Sequence, residues 1–202
     1  YIEDGNTFRH VDFPVGVYDP KNEAVRKVTR SYMLCPSDGH GYRGRREGTD
    51  DKIGLASYAG CHHGVEAPID ATNQGVLFLN SRIASRDVTD GSSFTLMAGE
   101  KWLADADLGW MSGTRATLRN TGTLPNATLE AGLERRSYRQ QRDEKPKTGD
   151  PLYVGGFGSW HPGGANFALV DGSVRFMSET IEPSLYQALG NRADGKLLDQ
   201  SF

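Results

Sequence analysis

The sequence predicts an α+β fold in which short antiparallel strands form the sheet and helix is scarce. Three observations point there. Twenty-five glycines and nine prolines in 202 residues punctuate the chain every few positions, which suits strands joined by turns better than a helical bundle. Two apolar runs, 166–170 and 173–177, flank the dipeptide Asp171-Gly172, a strong short-range hairpin signal. The clearest helix pattern is short and lies behind that hairpin, opening at Pro183 and stopping at Gly190.

The elements follow in order. Residues 1–24 are turn-rich, because Pro14, Gly16 and Pro20 forbid a long helix. Val28, Tyr32 and Leu34 fall at even positions and predict a half-buried strand that ends at Cys35-Pro36-Ser37-Asp38-Gly39. A polar, arginine-rich loop fills 39–51. Ile53 to Gly60 reads as a second strand leading into Cys61, and the apolar run Gly75-Val76-Leu77-Phe78-Leu79 reads as a central strand. The turn at Asp90-Gly91-Ser92-Ser93 precedes a further strand from Phe94 to Ala98. No clear pattern is present from Asp105 to Asn126. Leu129 and Leu133 mark a helix pattern over 128–142, otherwise charged or polar, which reads as a thinly attached surface helix or part of an extended loop, and 145–150 is a connector. For the hairpin, a two-residue type I′ loop would pair Val170 with Ser173, Leu169 with Val174 and Phe167 with Phe176. That register buries Leu169, Val174, Phe167 and Phe176 on one face.

Composition excludes several classes. Net charge is −3, and the basic clusters at Arg43, Arg45 and Arg46 and at Arg135, Arg136, Arg139 and Arg142 are interrupted by acids, so no nucleic-acid partner is expected. No apolar run approaches membrane-spanning length. The opening Tyr1-Ile2-Glu3-Asp4-Gly5 reads as the middle of a chain and leaves room for a targeting or anchoring segment upstream.

The residues that bear chemistry are few. Two cysteines, Cys35 and Cys61, fit one disulfide or two unrelated buried thiols, and the disulfide is the preferred reading. His161 stands nine residues before Asp171-Gly172. The pair reads as an acid/base couple or half a metal site, or more commonly as a loop anchored by one hydrogen bond, which is preferred. Adjacent His62 and His63 would point to opposite faces of a strand, so a metal-dependent hydrolase using them with His161 ranks low. The spacing of Asp87 and Asp90, and of Asp105 and Asp107, resembles calcium loops without the terminal bidentate glutamate. Calcium is the one cofactor they suggest. Asn126-Ala127-Thr128 is a sequon of little weight. Trp102, Trp110 and Trp160 offer stacking surfaces for sugars or material for the core. No nucleophile elbow, phosphate loop, dinucleotide fingerprint or zincin helix is present.

Four stretches together resemble one family. Tyr1-Ile2-Glu3 with Tyr32-Met33-Leu34-Cys35-Pro36-Ser37-Asp38 resembles its "PYIEQ … FLCPSD" opening. Asp87 to Glu100 resembles "ITDGTSNTLMVGE", with Phe94 where asparagine is usual. Ser159 to Met177 resembles the H-x(9)-D-G signature, and Leu185 to Leu198 its closing "YRALGTRNGGE", with Asp194 and Lys196 departing. The blocks are similar to those of the planctomycete-type, prepilin-like H-x(9)-D-G family, a domain of unknown function. In it, His161, Asp171 and Gly172 occupy the family motif. The resemblance implies a single pilin-like or pseudopilin-like head over 1–202, with a variable insertion at about 101–157, whose sheet packs against a hydrophobic N-terminal helix absent from this chain. It also implies an extracytoplasmic, non-enzymatic subunit of a filament or cell-surface assembly. Its partners would be copies of itself or other pilin-like subunits, and its only membrane contact would run through that helix. A solute- or glycan-binding module is the alternative. The oxidising compartment so implied favours the Cys35–Cys61 disulfide.

Overall fold

A computed structural model describes residues 4–38, 53–103, 108–127 and 152–196. Its centre is a five-stranded sheet in the order β3-β1-β2-β4-β5. The strands are β1 (Tyr58–His63), β2 (Leu96–Glu100), β3 (Leu118–Asn120), β4 (Gly164–Leu169) and β5 (Val174–Ser178). Among the described residues three short α-helices accompany it: α1 (Gly5–Arg9), α2 (Glu23–Arg26) and α3 (Pro183–Leu189). The α+β class holds, but the sheet is mixed. β3 runs parallel to β1, while the pairs β1–β2, β2–β4 and β4–β5 are antiparallel. β3 lies inside the segment read as a variable insertion, so that segment supplies an edge of the sheet. Three residues are too few to show an alternation, which is why the strand was illegible.

Two expected strands are not strands. Residues 31–33 form a 3-10 turn, and the Arg30 guanidinium and Tyr32 hydroxyl both donate to Asp4. Arg30, Thr7 and Tyr32 hold the Asp4 carboxyl well below its usual range, fastening α1 to the segment that leads into Cys35. The apolar run 75–79 crosses β1 instead of pairing along it. The Gly75 amide donates to the His62 carbonyl, and those of Val76 and Leu77 to the Cys61 carbonyl. Leu77 then covers Gly60, where an added Cβ would stand 2.8 Å from the Leu77 Cβ. The run is a surface cover, with Leu77 and Leu79 left exposed. The helix expected at 128–142 lies outside the described residues.

The core forms on one sheet face. Ala59, Cys61, Leu96, Ala165, Phe167, Leu169 and Met177 meet Phe157 and, from α3, Tyr186 and Leu189. Phe157, Phe167 and Tyr186 form an edge-to-face series with centroids 5.2 and 5.8 Å apart, the arrangement ring quadrupoles prefer. α3 runs as read from sequence. Pro183 occupies its first turn, the Glu182 carboxylate accepts the Leu185 amide at 2.7 Å, and Gly190 follows its end.

The hairpin forms with a different register. The Gly172 amide donates to the Leu169 carbonyl and the Leu169 amide to the Ser173 carbonyl, so three residues form the loop. Gly172 has φ of 86° while Asp171 does not lie in the left-handed region. This is a turn closed by a left-handed glycine, not type I′. One extra loop residue pairs Ala168 with Val174 and Phe167 with Arg175. Val174 and Phe176 therefore turn to the outward face, 68% and 53% exposed, where the sequence reading buried them. Space around Gly172 is open, so Gly172→Ala is expected to cost about 1 kcal/mol through backbone strain alone. Urea denaturation checks this, and Gly172→Asn should recover much of the loss.

Candidate functional site

The site forms where three separate segments meet. Glu100 is the last residue of β2, and its side chain is only 4% exposed. Cys35 follows the 3-10 turn, in a segment tied to the start of β1 by the Ser57 amide on the Met33 carbonyl. His161 lies in the loop that enters β4. Ser159 shapes this loop: its amide donates to Asn126 Oδ1 at 2.8 Å, its hydroxyl donates to the Gly164 carbonyl at 2.7 Å, and it accepts the His161 amide at 3.0 Å. The Gly158 amide donates to the Glu100 carbonyl, fastening the loop to β2. Trp160 packs edge-on against Trp102 at 4.7 Å.

Within this frame His161 Nε2 stands 3.5 Å from Cys35 Sγ and 3.2 Å from Glu100 Oε1. One ligand atom from each of the three residues lies within 4.8 Å of the others. The second carboxylate oxygen, Glu100 Oε2, accepts the Asn166 backbone amide at 2.7 Å and its side-chain Nδ2 at 3.1 Å. Asn166 thus fixes which Glu100 oxygen faces the cluster. Burial pushes the Cys35 thiol up, the Glu100 charge pushes it further, and the Ser37 backbone amide opposes both. In chemical terms the site gathers a thiol, an imidazole and a buried carboxylate around one point, a set suited to a cation.

The sequence-derived candidates separate. Cys35 and Cys61 are both free and buried, so the expected disulfide is not formed. Cys35 faces His161, whereas Cys61 Sγ lies in the core against the His63 and Gly190 carbonyls, where burial pushes its thiol up to about 12. His161 does not pair with Asp171. The two flank β4, whose six residues span roughly 20 Å at about 3.3 Å each. Asp171 instead accepts the Ser173 amide and hydroxyl at 2.8 and 2.7 Å, closing the turn. That network, led by the Ser173 hydroxyl, holds its carboxyl below the usual range.

His62 and His63 do not join His161. His62 Nδ1 faces Asn73 Oδ1 at 3.1 Å, His63 Nδ1 accepts the Val65 amide at 3.3 Å, and burial pulls both imidazoles down. Asp87 and Asp90 do not form a calcium loop. Asp87 Oδ2 accepts the Ala84 amide, while Asp90 accepts those of Asp194 and Gly195, so their oxygens serve separate backbone turns. Asp105 and Asp107 lie outside the described residues. Trp102 is buried, and the Trp110 indole N–H donates to the Val28 carbonyl at 2.8 Å. Asn126 spends its side-chain amide on Gly164 and Glu179, so a glycan there would break the scaffold of the His161 loop.

Glu100 was missed as a site residue, and Cys35 was assigned to another role. The available signal was that Cys35, Glu100 and His161 each lie in a different block of the family resemblance.

Fold and site define an α+β domain with a five-stranded mixed sheet and a Cys–His–Glu cluster at the end of its second strand. The chain belongs to the family described as "Protein of unknown function (DUF1559)", whose model matches residues 1–184, and this is the H-x(9)-D-G family of the sequence motifs. Searches of curated proteins and of solved structures returned no match. Among the described residues no helix is long and apolar enough to cross a membrane.

Proposed function

We propose that the chain is the extracytoplasmic head of a pilin-like subunit, non-enzymatic, that assembles with copies of itself in a filament or at the cell surface. The observation that carries this reading is the character of β5. It is an edge strand, so among the described residues one side of its backbone has no neighbouring strand in the sheet. Its outward face presents Val174 and Phe176, both more than half exposed. Exposed apolar edge strands attract other chains, and natural proteins usually blunt them with charge or proline. On this reading a neighbouring subunit covers Val174 and Phe176, while a hydrophobic helix implied by the family resemblance holds the subunit in the membrane or the filament core.

The test is assembly of the full-length gene product carrying Val174→Ser and Phe176→Ser, followed by negative-stain microscopy and light scattering. The variant should lose filaments or higher oligomers. The excised domain carrying the same changes should keep its stability to within about 0.5 kcal/mol per site, as surface changes do. Unchanged assembly by the variant, or a wild-type full-length protein that is soluble and monomeric, would overturn the reading.

A further inference from the structure

We propose that Cys35, Glu100 and His161 form a binding site for one divalent transition-metal ion, with zinc the best fit. Three arguments carry it. The first is the point of convergence. In a thiol–imidazole–carboxylate relay the nucleophile and the orienting acid sit on opposite ring nitrogens. Here both partners approach the same nitrogen, Nε2. Two groups that share one face of one ring atom are placed as co-ligands of a common centre, not as links in a proton relay.

The second argument is metric. With zinc–sulfur bonds of about 2.3 Å and zinc–nitrogen or zinc–oxygen bonds of about 2.0–2.1 Å, the corners of a tetrahedral site stand about 3.3–3.6 Å apart. The observed Sγ–Nε2 and Nε2–Oε1 separations are 3.5 and 3.2 Å. The third edge, Sγ–Oε1, lies within 4.8 Å, so two edges already match the site and the third can be drawn in on binding. Thiolate, imidazole and carboxylate in one set match zinc better than calcium or magnesium, which prefer oxygen alone.

The third argument is support around the ligands. Asn166 donates twice to Glu100 Oε2 and leaves Oε1 turned inward, the outer-shell arrangement that orients a ligating carboxylate. Ser159 fixes the backbone that carries His161. A thiol binds the ion as thiolate, so binding exchanges a proton for the ion: the S–H bond breaks, a sulfur–metal bond forms and the proton passes to solvent. His161, 30% exposed, gives the site its access to solvent, so water or an exchangeable ligand would complete a four-coordinate ion. This inference stands apart from the assembly reading, since neither Val174 nor Phe176 belongs to the cluster.

The experiment uses metal-free protein in a non-chelating reductant, titrated with Co2+ and then with Zn2+. One equivalent of Co2+ should give visible bands of tetrahedral intensity and a near-ultraviolet thiolate-to-cobalt band, both removed by one equivalent of Zn2+. Cys35→Ser should abolish the thiolate band, whereas Cys61→Ser should retain it. Asn166→Ala should weaken cobalt binding by about 10–100-fold. Circular dichroism identifies any variant that fails to fold, and the wild-type titration decides the matter by itself in that event. Absence of saturable one-to-one uptake by the folded wild type would overturn the proposal. So would a thiolate band that survives Cys35→Ser and disappears in Cys61→Ser.

Discussion

Replacing Phe167 with alanine is expected to lower the unfolding free energy by about 3–5 kcal/mol, the range for a large aromatic removed from a packed core. Phe167 is 1% exposed and lies between the rings of Phe157 and Tyr186. It also rests on Gly99 of the neighbouring strand, where an added Cβ would meet its Cδ1 and Cε1. One side chain therefore joins β2, β4, α3 and the segment before the His161 loop. Truncation leaves a cavity bounded by aromatic rings, which collapse poorly into an empty space. Urea unfolding of wild type and variant measures the difference. A loss under about 1 kcal/mol would contradict the pairing of Gly99 with Phe167 and the docking of α3 on the sheet.

Gly158→Ala is expected to be the next most damaging change, costing about 1–3 kcal/mol by overpacking and disturbing the cluster as well. Gly158 has no positive φ, so its backbone accepts alanine without strain. The obstacle is the Trp102 indole: an added Cβ would fall on Nε1 and stand 2.6 Å from Cδ1 and 2.9 Å from Cε2. Trp102 is buried and packed against Trp160, so its ring has little room to move. Displacing it pushes on Trp160, the residue before His161, and on the Gly158 amide bond to the Glu100 carbonyl. Thermal melts should show the stability loss, and cobalt titration should show weaker binding. A variant with wild-type melting and wild-type cobalt affinity would show that the Trp102–Trp160 pair does not position the His161 loop.

The contrast between Cys35 and Glu100 shows how much of the site was legible. Cys35 attracted notice because cysteine is rare in this chain, but pairing by count sent it to Cys61, and counting carries no information about direction. Glu100 is one of 26 acidic residues and ends an apolar strand where nothing marks it as unusual. Its distinction is burial beside a thiol and an imidazole more than 60 positions away on either side. The sequence assigns His161 to holding its loop against the hairpin by one hydrogen bond. Its anchor is Glu100, across the sheet, and not the hairpin that follows it.

Local chemistry by itself determined the α+β class, the Asp171-Gly172 turn, α3 with its Pro183 start and Gly190 stop, and the family. Each of these rests on residues adjacent in sequence, where turn geometry, capping and short motifs act over a few positions. Tertiary structure alone decided the rest. The parallel β3 gains its partner from residues almost 60 positions earlier, and three residues cannot announce a strand. The run 75–79 became a cover over Gly60 because β1 already had neighbours on both edges. One added loop residue at Gly172 turned Val174 and Phe176 to the outside, because a strand's side-chain period of two reverses faces with a single shift. The Cys35–Glu100–His161 cluster exists only when three loop and strand ends are folded to one point, since metal-ligand distances are properties of space and not of spacing along the chain.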